Sequence, residues 1–160
     1  MVDIKILSVG KSKERYWNDA CAEYGKRLSR YCRLSFYEAA DEKTPDGAPD
    51  SLCSQIKKTE GERLLAKIRD TDYVIALAID GKMPDSVELS AQLQKLMVTG
   101  RSSLVFIIGG SLGLSDEVLR RADFRLSFSR MTFPHQMMKV ILLEQIYRSF
   151  RIMNNEPYHK

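Results

Sequence analysis

The sequence predicts a single α/β domain built on a parallel sheet, and three observations lead there. Two uninterrupted apolar runs of strand length, YVIALAI (73–79) and SLVFII (103–108), each precede a helical pattern. Parallel strands covered on both faces read this way. Strand and helix patterns alternate along the whole chain, with no internal repeat, linker or low-complexity segment. The chain has 160 residues, 44% of them hydrophobic, which is the size of one domain with a core to bury. One domain over 1–160 is expected.

The elements follow in order. DIKILSV (3–9) alternates, with Ile4 and Ile6 on one side, and predicts a strand closed by Gly10. From about Lys13 to Tyr31 helix formers dominate, with Tyr16, Trp17, Ala20, Tyr24 and Leu28 at helical spacing. RLSFYE (33–38) predicts a second strand. Residues 39–52, which include TPDGAPD, are the strongest loop signal, either a lid or simply a long connection. A polar helix is expected at about 54–69, then the strand YVIALAI and the turn DGK. Asp85 suits the N-cap of a helix to about Met97, with Val87, Leu89, Leu93 and Leu96 on its apolar side. After SLVFII and the turn GGSLG, a short helix should start at Ser115. FRLSF (124–128) predicts a short strand, and a last helix should run from near Pro134, inside its first turn, to about Asn154.

Composition narrows the setting. No apolar run approaches the roughly 20 residues that span a bilayer. The opening MVDIKILSVG has no basic n-region and no cleavage-like site, so no signal peptide is expected. Cys21, Cys32 and Cys53 are odd in number and far apart, which points away from disulfides and metal and toward a reducing cytoplasm. The net charge is +4, but Arg120 to Lys160 alone carries +5. A basic C-terminal quarter is either a solubilising surface or the footprint of a polyanionic partner.

In a parallel sheet, ligands bind beyond the carboxyl ends of the strands. Three loops are candidates: 78–82, 109–114 and 129–133. The glycine cluster IIGGSLG lacks the G-x-G-x-x-G spacing of a dinucleotide site. The helix after it opens with Asp116 and Glu117, which already satisfy its positive end and would repel a pyrophosphate. A ligand without phosphate, or one carrying positive charge, is better tolerated; otherwise the cluster is a tight structural turn. In SRMTF, the hydroxyls of Ser129 and Thr132 can meet an adenine edge, or form an ordinary loop. The last helix is apolar on more than one side, so it is either central to the domain or, the favoured reading, part of a subunit interface. The tail NNEPYHK is either frayed or a docked arm. His135 and His159 are the only histidines, and histidine is the natural proton handler near neutral pH.

The stretches IIGGSLGLS, LSFSRMTFPHQ, LLEQIYRSF and NNEPYHK, with LSVGK and AIDGK, resemble the ribosomal RNA large subunit methyltransferase H family of bacteria over essentially the whole chain. The resemblance implies a SPOUT fold whose C-terminal segment threads a trefoil knot. It implies S-adenosylmethionine as methyl donor and a homodimer with the active site near the subunit boundary. The substrate implied is a pseudouridine in helix 69 of 23S rRNA, methylated at N3 in the assembled 70S ribosome. No metal and no membrane enter this reading. Carried over, the cofactor pocket takes Leu77, Gly110, Ser129, Arg130, Met131, Thr132, Phe133 and Pro134. For catalysis, His135 or His159 would remove the N3 proton or orient the base. Arg148, and after it Arg130, would hold phosphate or the uracil carbonyls, and Tyr158 would stack on or hydrogen-bond the base. The alternative is a non-catalytic ribosome- or RNA-binding α/β protein that binds no donor.

Overall fold

The computed structural model describes residues 1–160. Its elements are β1 (Val2–Val9), α1 (Arg15–Leu28), β2 (Cys32–Ala39), α2 (Asp50–Leu65), β3 (Tyr73–Lys82), α3 (Ser86–Val98), β4 (Ser103–Ile108), α4 (Asp116–Arg121), β5 (Phe124–Leu126) and α5 (His135–Met153). One sheet has the order β2-β1-β4-β3-β5 with every pair parallel. The α/β reading of the sequence holds for every element.

The sheet carries two cores because its strands alternate. Ile4, Ile6, Leu104, Phe106 and Ile108 pack with Leu28, Leu89, Leu93 and the α5 residues Leu142, Leu143, Ile146 and Phe150. Leu7, Val9, Val105 and Ile107 face the other way, against Leu64 of α2 and Val118 of α4. All six residues of β4 are buried, so SLVFII is the central strand its continuous apolarity suggests. On its own layer, α5 packs between α1 and α3. It is therefore central to the domain, and part of its apolarity is spent there. Met137, Val140 and Ile141, at helical spacing on another side, stay only half-buried.

Ends of elements differ from expectation where local chemistry decides. Helix α2 opens at Asp50, because Pro49 presets the N-cap dihedral and its carbonyl accepts from Leu52 and Cys53. The preceding loop is correspondingly shorter. Its first residues are held down: Glu42 N–H donates to Glu60, and Arg63 donates to the Ala40 carbonyl and to Glu42. Asp85 does cap α3, in a reciprocal box with Glu88. Val87, expected on the apolar side, is 51% exposed: it sits in the first turn, beyond the packed face of Leu89 and Leu93. Strand β5 stops at Leu126, since Ser127 N–H donates to the Lys82 carbonyl and the chain then turns. Both Leu77 and Lys82 pair with Leu126, so residues 78–81 bulge out of the sheet edge. Pro134 is the N-cap of α5, one residue before its first turn, with its carbonyl accepting from Met138.

No helix is long and apolar enough to cross a membrane.

Candidate active site

A cavity of about 630 Å3 opens at the carboxyl ends of β3, β4 and β5. Its walls are the β3 bulge at Leu77 to Ile79, the turn Gly109 to Gly113, the segment 126–134 and the first turn of α5. All three candidate loops meet there. Leu77, Gly110, Ser129, Met131, Thr132, Phe133, Pro134 and His135 line it; Arg130 is exposed and does not.

The glycine turn is built for close approach. A Cβ on Gly109 would sit 2.8 Å from the Gly113 carbonyl carbon, so the two ends of the turn touch through bare backbone. Gly113, at φ +86, donates its N–H to the Gly110 carbonyl. Behind the turn stands Glu60 of α2, 5% exposed, whose Oε1 would lie 3.5 Å from a Cβ on Gly110. Burial pushes its carboxyl pKa up, while its hydrogen bond from Glu42 N–H opposes this. No local pattern marks Glu60. Its place depends on α2 packing beside a turn fifty residues on in sequence.

The 127–134 loop holds itself in shape. Ser129 Oγ accepts from Met131 N–H at 3.0 Å, and Ser127 Oγ donates to the Ser129 carbonyl at 3.1 Å. The Ser129 hydroxyl therefore shapes the loop as well as facing the cavity. Asp116 and Glu117 do occupy the first turn of α4, whose N-cap Ser115 accepts from Val118.

No lysine, arginine, aspartate or glutamate lines the cavity. It presents apolar side chains, hydroxyls, backbone and one imidazole. A ligand bearing phosphates finds no counter-charge, whereas an uncharged heterocycle and ribose, with a sulfonium, fit the lining and a volume ordinary for small-molecule sites.

His135 stands at the rim. It is half-buried, and its Nε2 has no hydrogen-bond partner in the protein. Burial pushes its pKa below the usual histidine value, and the Lys139 ammonium adds to this against the carboxylates of Asp41, Glu38 and Glu14. It is a neutral imidazole at pH 7, able to accept a proton. Lys139 itself is 5% exposed and pairs with Glu38 at 3.3 Å.

The other three catalytic candidates lie elsewhere in the same chain. Arg148 donates to Glu144 through Nε at 3.0 Å and Nη2 at 3.2 Å, and lies 4.7 Å over the Tyr158 ring. Its Nη1 is 3.1 Å from His159 Nδ1. Tyr158 donates to Glu144 at 2.8 Å and packs edge-on against Tyr147. Burial and the Glu144 carboxylate push the Tyr158 pKa up to about 12. The tail is thus a docked arm. Asn155, at φ 54, ends α5 with Glu156 N–H on the Arg151 carbonyl, and Arg151 then grips Glu156 at 2.7 Å. Arg148 stands thirteen positions after His135 on α5, about 20 Å along the helix axis. One chain does not bring the four together.

Much of the basic excess is also engaged internally: Arg120, Arg121, Lys139, Arg148 and Arg151 each pair with a carboxylate. Arg125, Arg130 and Lys160 form no ion pair. No group of three or more His, Cys, Asp or Glu is placed to hold a metal ion.

Comparison with known proteins adds to this geometry. A family model described as "Predicted SPOUT methyltransferase" matches residues 2–159. A Bifidobacterium adolescentis protein named ribosomal RNA large subunit methyltransferase H is 58% identical over 157 residues, 98% of this chain and 99% of that one. A Clostridioides difficile protein of the same name is 59% identical over 159 residues, 99% of this chain and all of that one. Among solved structures, a probable methyltransferase from Bordetella pertussis Tohama I superposes with a TM-score of 0.57 at 12% identity, covering 92% of this chain and 96% of that one. A methylase family protein from Neisseria gonorrhoeae gives 0.56 at 15% identity, covering 99% and 86%. These two likenesses concern the fold.

Proposed function

The chain belongs to the ribosomal RNA large subunit methyltransferase H family of SPOUT methyltransferases, and on that premise we propose that it methylates N3 of a pseudouridine in helix 69 of 23S rRNA, in the assembled 70S ribosome. The donor is S-adenosylmethionine and the working unit is a cytoplasmic homodimer. The reading carries with it a trefoil knot in the C-terminal segment. The observation that supports it most is the cavity at the ends of β3, β4 and β5: it has a glycine cradle, no ionic lining and a neutral imidazole at its rim.

S-adenosylmethionine supplies a methyl group made electrophilic by its sulfonium. The rest falls to the protein. An imide nitrogen is a poor nucleophile until its proton leaves, so the N3–H bond must break as the N3–CH3 bond forms. His135, whose pKa burial pushes down in favour of the neutral ring, takes the proton. The glycine turn and the 127–134 loop would orient the donor, and Leu77, Phe133 and Met138, which line the same cavity, would keep water from it.

The dimer rests on two features. Arg148, Tyr158 and His159 are far from His135 in one chain, and in this reading a second copy presents its tail to complete a site. The half-buried stripe Met137, Val140 and Ile141 runs along α5 between the two clusters and is apolar enough to be covered by that copy.

Calorimetric titration with S-adenosylmethionine tests the reading. A single saturable site, lost on Gly110→Trp, is expected. No binding heat up to millimolar donor would leave the non-catalytic RNA-binding alternative.

A further inference from the structure

A second cavity, of about 430 Å3, adjoins the first through His135 and Gln136, which line both. Its character is opposite. Its remaining walls are the segment Gly10 to Glu14 after β1 and the residues Glu38 to Asp41 at the end of β2, and nearly all are polar or charged.

Four charges here are unspent. Lys11 and Lys13 form no ion pair, and neither do Glu14 and Asp41. Glu38 uses Oε2 for both Lys139 Nζ and Ser12 N–H, which leaves Oε1 available. The bare Nε2 of His135 lies 3.4 Å from where a Cβ on Gly10 would sit, and the Asp41 side chain 3.9 Å from the same point. Imidazole edge, carboxylate and backbone therefore meet at one wall of this cavity. Nε2 of His135 is buried and has no hydrogen-bond partner within the protein, so a small shift of the ring would let it pair with a group from outside. Both helices bordering the cavity, α1 and α5, also start without a side-chain cap and without an acid in the first turn.

The mixture excludes simple ligands. An inorganic anion would meet three carboxylates, and a cation two lysines. A nucleotide carries both partners: a phosphodiester for ammonium groups and a base edge with N–H donors for carboxylates. Just beyond Lys13, Tyr16 is 64% exposed and packs edge-on against Trp17, a surface on which a neighbouring base can stack.

We propose that this cavity seats the acceptor nucleotide, a uridine-type residue whose phosphate meets Lys11 and Lys13 and whose ring N–H donates at the wall formed by Asp41 and His135. The inference rests on the methyl-transfer reading. It gives that reaction two adjoining pockets, an uncharged one for the donor and a charged one for the RNA, with His135 between them.

The test uses the full-length protein and ribosomes lacking the modification. The double variant Lys11→Gln, Lys13→Gln should raise the KM for ribosomes about tenfold, the worth of one charge-assisted contact. It should also reduce the salt dependence of log KM by about one. Donor affinity and the monomer–dimer equilibrium should stay unchanged, and Lys11→Arg, Lys13→Arg should restore KM. Asp41→Asn should lower kcat/KM without changing donor affinity. A double variant with wild-type KM and salt slope overturns the proposal, as does one whose defect is loss of the dimer. If the wild-type protein transfers methyl and the variants match it, only this inference fails. If the wild-type protein binds no donor, the reading beneath it fails instead.

Discussion

His135 owes its chemistry to its surroundings more than to its type. Burial pushes the pKa of the ring below the usual histidine value, which favours its neutral form, and Nε2 has no partner within the protein. For a base with a depressed pKa, the competent form persists above that pKa and is lost only on acidification. The kcat/KM for methyl transfer should therefore be flat at and above pH 7 and fall below the ordinary histidine range; a fall centred at pH 7 or higher contradicts it. His135→Ala should lower transfer by roughly 10²-fold or more while donor affinity, read by calorimetry, stays within a few-fold. Tyr158 is tuned the other way. Its phenol, pushed up to about 12, is held by burial first and by Glu144 second. Glu144→Gln should lower that pKa part of the way toward the usual tyrosine value, seen as a tyrosinate difference titration against Tyr158→Phe. An unchanged titration would mean that burial alone sets it.

At the level of elements, α5 joins the strand-end cavity to the C-terminal tail. It starts at that cavity, is wedged between α1 and α3, and ends in the docked tail. Truncating its sheet-facing side should be costly: Ile146→Ala should destabilise the fold by about 2–5 kcal/mol, measured by urea unfolding, with donor affinity per folded molecule retained. What the sequence discloses follows the same division. The apolar run SLVFII, the capping signal at Asp85 and the strand-end loops are local patterns, and each lies where those patterns lead. The pair Glu38–Lys139 joins residues 101 apart, and Glu60 reaches the glycine turn only because α2 packs beside it. Neither leaves a trace in spacing or composition. The tail shows the limit most clearly, since Tyr158 and His159 look identical as letters whether frayed or gripped by Glu144 and Arg148. Formal charge is silent for a related reason: it does not reveal that five of the eight cations of the basic C-terminal quarter already have carboxylate partners.

Over the whole molecule, the separation of His135 from Arg148 turns a question of catalysis into one of assembly. If a second copy completes each site, chains carrying His135→Ala and chains carrying Arg148→Ala should each be nearly inactive alone. Mixed and allowed to exchange subunits, they should regain up to about a quarter of wild-type activity, because half the dimers are hybrid and each hybrid has one intact site. Recovery absent despite confirmed hybrid dimers places all the chemistry within one chain. The most direct measurement is methyl transfer itself. Ribosomes from cells lacking the modification are incubated with the protein and methyl-labelled S-adenosylmethionine, and the 23S rRNA is digested and mapped. Label on N3 of one helix 69 pseudouridine, abundant on 70S particles and scarce on free large subunits, is the expected result. Equal labelling of free subunits contradicts the need for the assembled particle, and an unlabelled rRNA from a protein that binds the donor contradicts the proposed reaction.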